Sequence, residues 1–149
     1  MKIGIIGFSS TPFDQEKATA LLQTTLQKVV SSIEPENIEI VSGYTNIGIP
    51  KIAYEIASSS GWTTVGFSAK EALTASCGLF PVHKEILVGE KFGEESAAFV
   101  DYIDILIRIG GGQQSKKEVA LFKKKHTSQE LSGILFEEEI RESSKSKKK

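Results

Sequence analysis

The sequence is poor in the residues and patterns around which metal and catalytic sites are usually assembled. It has one cysteine, Cys77, and two histidines, His83 and His126. A single cysteine cannot close an intramolecular disulfide, and such usage fits a reducing, cytoplasmic setting. These three residues lack the spacing of a zinc site, so no metal is expected. A Cys77–His83 nucleophile pair is a less economical reading than a small residue in a loop. There is no P-loop Gly-Lys-Ser/Thr, and neither Gly4-Ile-Ile-Gly7 nor the segment from Gly43 to Gly48 follows the dinucleotide pattern Gly-x-Gly-x-x-Gly. No apolar run approaches the roughly 18 residues needed to cross a bilayer. Only Lys2 precedes a short apolar strand, so no signal peptide is expected either.

Charge is also short, and uneven. The 149 residues carry a formal net charge of −1. Four lysines, Lys145 and Lys147 to Lys149, lie in the last seven positions, and taking them from −1 leaves −5 for the rest. A body of that sign is a poor surface for nucleic acid, whose affinity comes from Lys and Arg contacts to phosphate. The expected organisation is one domain over 1–141 followed by a disordered basic tail over 142–149. Hydrophobic residues at 40% are ordinary for a globular protein of this length.

What is present is an alternation of short apolar runs and longer amphipathic ones. Strands are expected at Ile3–Gly7, Ile38–Val41, Thr63–Phe67, Glu85–Val88 and Ile105–Ile109, with a last one at Leu131–Phe136. Helical spacing runs over Asp14–Val30, capped by Asp14 or Thr11, and over Ile49–Ser58, Glu94–Tyr102 and Ser115–Lys124. Glu71 to His83 is irregular and leaves helix, loop or lid open. Trp62 reads as a core anchor, and Lys123 to Lys125 as a solvated helix end. Strands apolar on both faces and separated by helices predict an α/β fold. It is a Rossmann-like, doubly wound, mostly parallel sheet with helices on both faces.

In such sheets ligands bind beyond the carboxyl ends of the strands. The strongest signal there is Asp104-Ile-Leu-Ile-Arg-Ile-Gly-Gly-Gly-Gln-Gln-Ser-Lys-Lys-Glu118, which reads as buried strand, tight loop and helix start. Gly110, Gly111, Gly112, Gln113, Gln114 and Ser115 are expected to cradle an anion, with backbone N–H groups and a helix dipole aimed at it. Ser42, Gly43, Thr45 and Asn46 form a second polar turn leading into a helix. Ser9 and Ser10 follow the first strand and join the same set.

These residues resemble the Lonely-Guy-like superfamily, long known as "lysine decarboxylase-like" proteins, over about Lys2 to Phe136. The enzymes of that family carry Pro-Gly-Gly-x-Gly-Thr-x-x-Glu. Gly111, Gly112 and Glu118 match it, Ser115 stands for the threonine, Gly110 replaces the proline and Gln114 the third glycine. An Arg–Lys pair of the enzymes falls on Glu95 and Ser96. The resemblance implies a Rossmann-like homodimer that binds nucleotides without a further cofactor. An arginine would hold the phosphosugar or stabilise charge in glycosidic cleavage, and Glu95 cannot. The expectation is therefore binding or sensing of a nucleotide or similar phosphorylated small molecule. The alternative is a phosphoribohydrolase cleaving nucleoside monophosphates, with Glu118 and Glu95 as acid and base.

Overall fold

The local signals act where the sequence places them. In the computed structural model, which describes residues 1–142, the Asp14 side chain accepts the Lys17 N–H at 3.1 Å and starts α1, Gln15–Val30. Of the two candidate caps, Asp14 is the one used. Ala18, Leu22, Thr25 and Leu26, at helical spacing, form the buried stripe. α2 spans Gly48–Ser60 and ends at Gly61 in the left-handed conformation. α3 spans Ser96–Tyr102, α4 Gln113–Lys125 and α5 Ser128–Ile134.

Six strands, β1 Lys2–Gly7, β2 Glu39–Ser42, β3 Thr63–Ser68, β4 Lys84–Leu87, β5 Ile105–Ile109 and β6 Leu135–Glu138, form one sheet in the order β4-β3-β2-β1-β5-β6. All five pairings are parallel. Parallel strands need covered faces. One face packs the α1–α2 cluster, with Ile3, Ile5, Leu22, Ile40, Ile49, Ile107 and Ile109 fully or almost fully buried. The other packs the α3–α4 cluster, with Val41, Val65, Phe67, Phe99, Leu106 and Phe122. Trp62 packs on the first cluster. The Rossmann-like doubly wound expectation holds.

The irregular segment resolves into a 3-10 turn, Lys70–Thr74, and a loop. His83 within it accepts the Thr64 N–H on Nδ1 at 2.9 Å. The last expected strand is corrected. Leu131 to Ile134 are helical, because Thr127 and Glu130 form a reciprocal capping box that starts α5, and the strand begins only at Leu135. Of the tail expected over 142–149, all but Glu142 lies outside the described residues.

Tyr54 of α2 ties the carboxyl ends of β2 and β3 together. Its hydroxyl is fully buried, accepts the Ser42 N–H at 3.0 Å and lies 2.7 Å from the Gly43 carbonyl and 2.8 Å from that of Val65. Burial raises its pKa well above the ordinary tyrosine value. Tyr54→Phe strands the buried Ser42 N–H, so a loss of about 1–3 kcal/mol is expected in urea unfolding; an unchanged midpoint and slope would refute this tie.

Candidate functional site

The chain winds outward from β1 through β2 and β3 to β4, then returns beside β1 as β5. The loops after β1 and β5 therefore leave in opposite directions and open a crevice at the carboxyl edge, where ligands of such folds bind. A cavity of about 560 Å³ occupies that place, within the range of small-molecule sites.

Ser9, Ser10, Gly43, Thr45, Gly112, Gln113, Gln114, Ser115, Glu95 and Glu118 all line it. Ser42 does too, but its hydroxyl is engaged, donating to the Ile5 carbonyl at 2.6 Å, so its role is in the sheet. Three expected residues are not among the lining. Asn46 is turned toward the 75–80 loop, its N–H donating to the Gly78 carbonyl at 2.9 Å. Gly110 and Gly111 are needed for packing within the chain. A Cβ on Gly110 would meet Ile140 and Phe8 at 2.6–2.7 Å, and one on Gly111 would meet the Ser115 side chain. Their φ values are +62° and +108°, which favours glycine in its own right. Gly112 alone has nothing within 4 Å of an added Cβ. Of the three glycines, Gly112 is the one that gives a ligand room.

Gly112 is also the N-cap of α4, and no side chain caps the helix. The first-turn N–H groups of Gln113, Gln114 and Ser115 have no intrahelical acceptor and carry the positive end of the dipole. Ser68, at the polar end of β3, lines it as its place at a strand end implies, whereas Thr11, Ser76, Cys77 and Phe92 are lining residues that sequence reasoning missed. In sequence, Thr11 reads as a helix cap and Cys77 as a small residue in a loop. Phe92 gave no signal, being one aromatic in a polar loop. In the structure it is 44% exposed while lining the cavity.

α3 and α4 meet at the cavity through two carboxylates and an amide. Glu95, just before α3, accepts the Gly93 N–H at 2.9 Å on Oε1 and the Gln114 side-chain amide at 2.9 Å on Oε2. The same amide nitrogen donates to Glu118 Oε2 at 3.2 Å, and the Ser96 hydroxyl donates to that oxygen at 2.8 Å. Glu95 and Glu118 are only 4% and 5% exposed. Among the described residues no Lys, Arg or His lines the cavity. Burial pushes the Glu118 pKa up to about 7; the Ser96 and Gln114 hydrogen bonds work against this and the nearby Glu95 charge adds to it.

No protein-family model and no curated protein matches the chain. Solved structures do. One is the molybdenum cofactor binding protein of the phototrophic bacterium Rippkaea orientalis, 21% identical, with a TM-score of 0.64 over 91% of this chain and 87% of that one. Another is the molybdenum cofactor carrier protein of Chlamydomonas reinhardtii, 16% identical, with a TM-score of 0.66 over 91% and 88%. At these identities the likeness shows the fold. It also corrects the functional expectation: these neighbours bind or carry a molybdenum cofactor, which overturns the nucleotide-binding and phosphoribohydrolase readings drawn from the glycine loop. The loop misled because helix-start N–H groups suit any anion.

Two predictions follow from the geometry. Gly111→Ala should cost on the order of 1–3 kcal/mol of stability through strain and contact with Ser115, whereas Gly112→Ala should stay within about 0.5 kcal/mol. Urea unfolding of both variants decides, and equal costs would contradict the assigned roles. For Glu118, the folded value of about 7 lies above the ordinary 4.5. Its contribution to stability is therefore fully present below about pH 4.5 and lost as pH rises through about 7. Glu118→Gln, which does not titrate, should gain on wild type by on the order of 3 kcal/mol between pH 4 and pH 8. A pH-independent difference between the two would remove the buried-acid assignment.

Proposed function

We propose that this protein binds and carries a molybdenum cofactor. The observation behind the reading is the match, over about nine-tenths of the chain, to two structures that bind or carry that cofactor. The site supports it. A molybdenum cofactor is a pterin whose side chain bears a dithiolene for the metal and a phosphate monoester. It brings its metal on its own sulfurs, so the protein has to supply shape and hydrogen bonds only. Among the described residues no group of three or more His, Cys, Asp and Glu gathers as a metal site, and the cargo requires none.

The cavity has the volume for such a ligand, hydroxyls on two strand-end loops, and an exposed ring in Phe92. The phosphate goes to the first turn of α4, where Gly112 leaves room and the first-turn N–H groups lack intrahelical acceptors, with Ser9, Ser10 and Thr11 lining the same cavity. A homodimer and kinship with the Lonely-Guy-like superfamily belong to the same proposal, supported by the matches at Gly111, Gly112 and Glu118; a cytoplasmic location is supported by the single cysteine. No helix among the described residues is long and apolar enough to cross a membrane.

The test is direct. The protein is mixed anaerobically with molybdenum cofactor released from a molybdoenzyme and passed through gel filtration. Molybdenum and oxidisable pterin should co-elute with it at about one per chain. Gly112→Val should lower retention on the order of tenfold by filling the space beside the α4 N–H groups. Absence of both molybdenum and pterin from the protein peak would reject the reading.

A further inference from the structure

The cavity wall is not uniform. One corner, made by Glu95, Gln114 and Glu118, holds two buried carboxylates, and among the described residues no cation lines the cavity. Gln114 uses its amide nitrogen on both of them, so its amide oxygen is left as one more acceptor. Both hydrogen bonds received by Glu118 fall on Oε2, and Oε1 receives none among the described residues. Glu118 is nine-tenths buried and lines the cavity, so a ligand held there can supply a donor to this acceptor.

A second observation comes from the next loop. Phe92 is one of the few large exposed hydrophobic side chains, and of Met1, Leu73 and Phe92 it is the one that lines the cavity. It stands three residues before Glu95. An exposed ring near two buried carboxylates fits a flat heterocycle with hydrogen-bond donors on one edge. An anionic end is excluded from this corner by charge. It belongs at the uncapped start of α4. Gly112 and Glu118 are six residues apart, about 9 Å of helix rise, so the two ends of one ligand can be served separately.

We propose that Glu118 and Glu95 read the aminopyrimidinone edge of a pterin, accepting hydrogen bonds from its 2-amino group and N3–H, while Phe92 covers the ring. The proposal rests on the cofactor reading above. It goes further by fixing the ligand's orientation and naming the residues that set its specificity. Gln114 and Ser96 are positioning residues, since they hold the carboxylates through Oε2. The pterin edge presents only donors at these two positions and the corner presents only acceptors, so the match is in polarity as well as shape. Replacing the 2-amino group by oxygen would set an acceptor against a carboxylate.

That replacement supplies the test. Two soluble fluorescent probes, 6-hydroxymethylpterin and the corresponding 2-oxo compound 6-hydroxymethyl-lumazine, are titrated into the full chain at about pH 8, above the value near which Glu118 titrates. The pterin should bind more tightly than the lumazine by on the order of tenfold or more. Glu118→Gln turns one acceptor into an amide and should erase most of that preference, with the melting temperature and circular dichroism reporting on the fold. Phe92→Ala, at an exposed position, should weaken both probes alike and leave the preference between them intact. Equal binding of pterin and lumazine by a protein that still retains the whole molybdenum cofactor would overturn the edge-reading assignment and leave the carrier reading standing. Failure to retain the cofactor at all would overturn the carrier reading itself. A preference that survives in Glu118→Gln and in Glu95→Gln would likewise overturn the assignment.

Discussion

The approach of β1 to β5 at their carboxyl ends is the constraint on which the site depends. A Cβ at Gly7 would collide with the Ile109 carbonyl and lie 2.7 Å from Ile49, and a Cβ at Gly111 would lie 3.2 Å from the Gly7 Cα. Bare backbone at these positions lets the two strands stay in register up to Gly7↔Ile109 before their loops part. α2 is seated by the same economy of space. Gly48, with φ of +67°, leaves room for Phe8 and Ser9, and the Ile49 N–H donates to the Phe8 carbonyl at 2.8 Å. Without that closeness the β1 loop, the start of α2 and the start of α4 would not face a common space.

Much of this was legible in the sequence, for local reasons. Strands apolar on both faces, helices with a buried stripe, Asp14 as a cap and the run of glycines after β5 are all short-range signals, and they placed the sheet, its class and the edge where the cavity lies. The misses were of two kinds. Some are competitions between neighbours: the Thr127–Glu130 capping box draws Leu131 to Ile134 into a helix that their apolar character alone does not announce. Others depend on separation along the chain. Glu95 and Gln114 stand 19 residues apart, and nothing in either neighbourhood says that one amide joins two carboxylates. Ser42 looked like a ligand group because its hydroxyl is polar, yet it is bonded to a carbonyl 37 positions away.

The acidic corner explains why a glycine loop did not identify the ligand. The N–H groups at the start of α4 favour anions, and less than two turns later the same helix presents Glu118, which disfavours them. A site with such a gradient suits a molecule with unlike ends. Recognition of phosphate alone would favour a lysine or arginine in the lining, and among the described residues none is there.

The bridge between Phe13 and Glu142 brings the end of the described chain next to the loop that carries Ser9, Ser10 and Thr11. The opposite edge of the sheet is marked by the Met1 amino group on the Asn37 carbonyl. The two edges therefore differ as vantage points for spectroscopy. A fluorophore attached at position 142 stands beside the β1 loop, part of which lines the cavity, and should change its emission when cargo enters. One at position 37 is a built-in reference on the same rigid sheet, blind to loading.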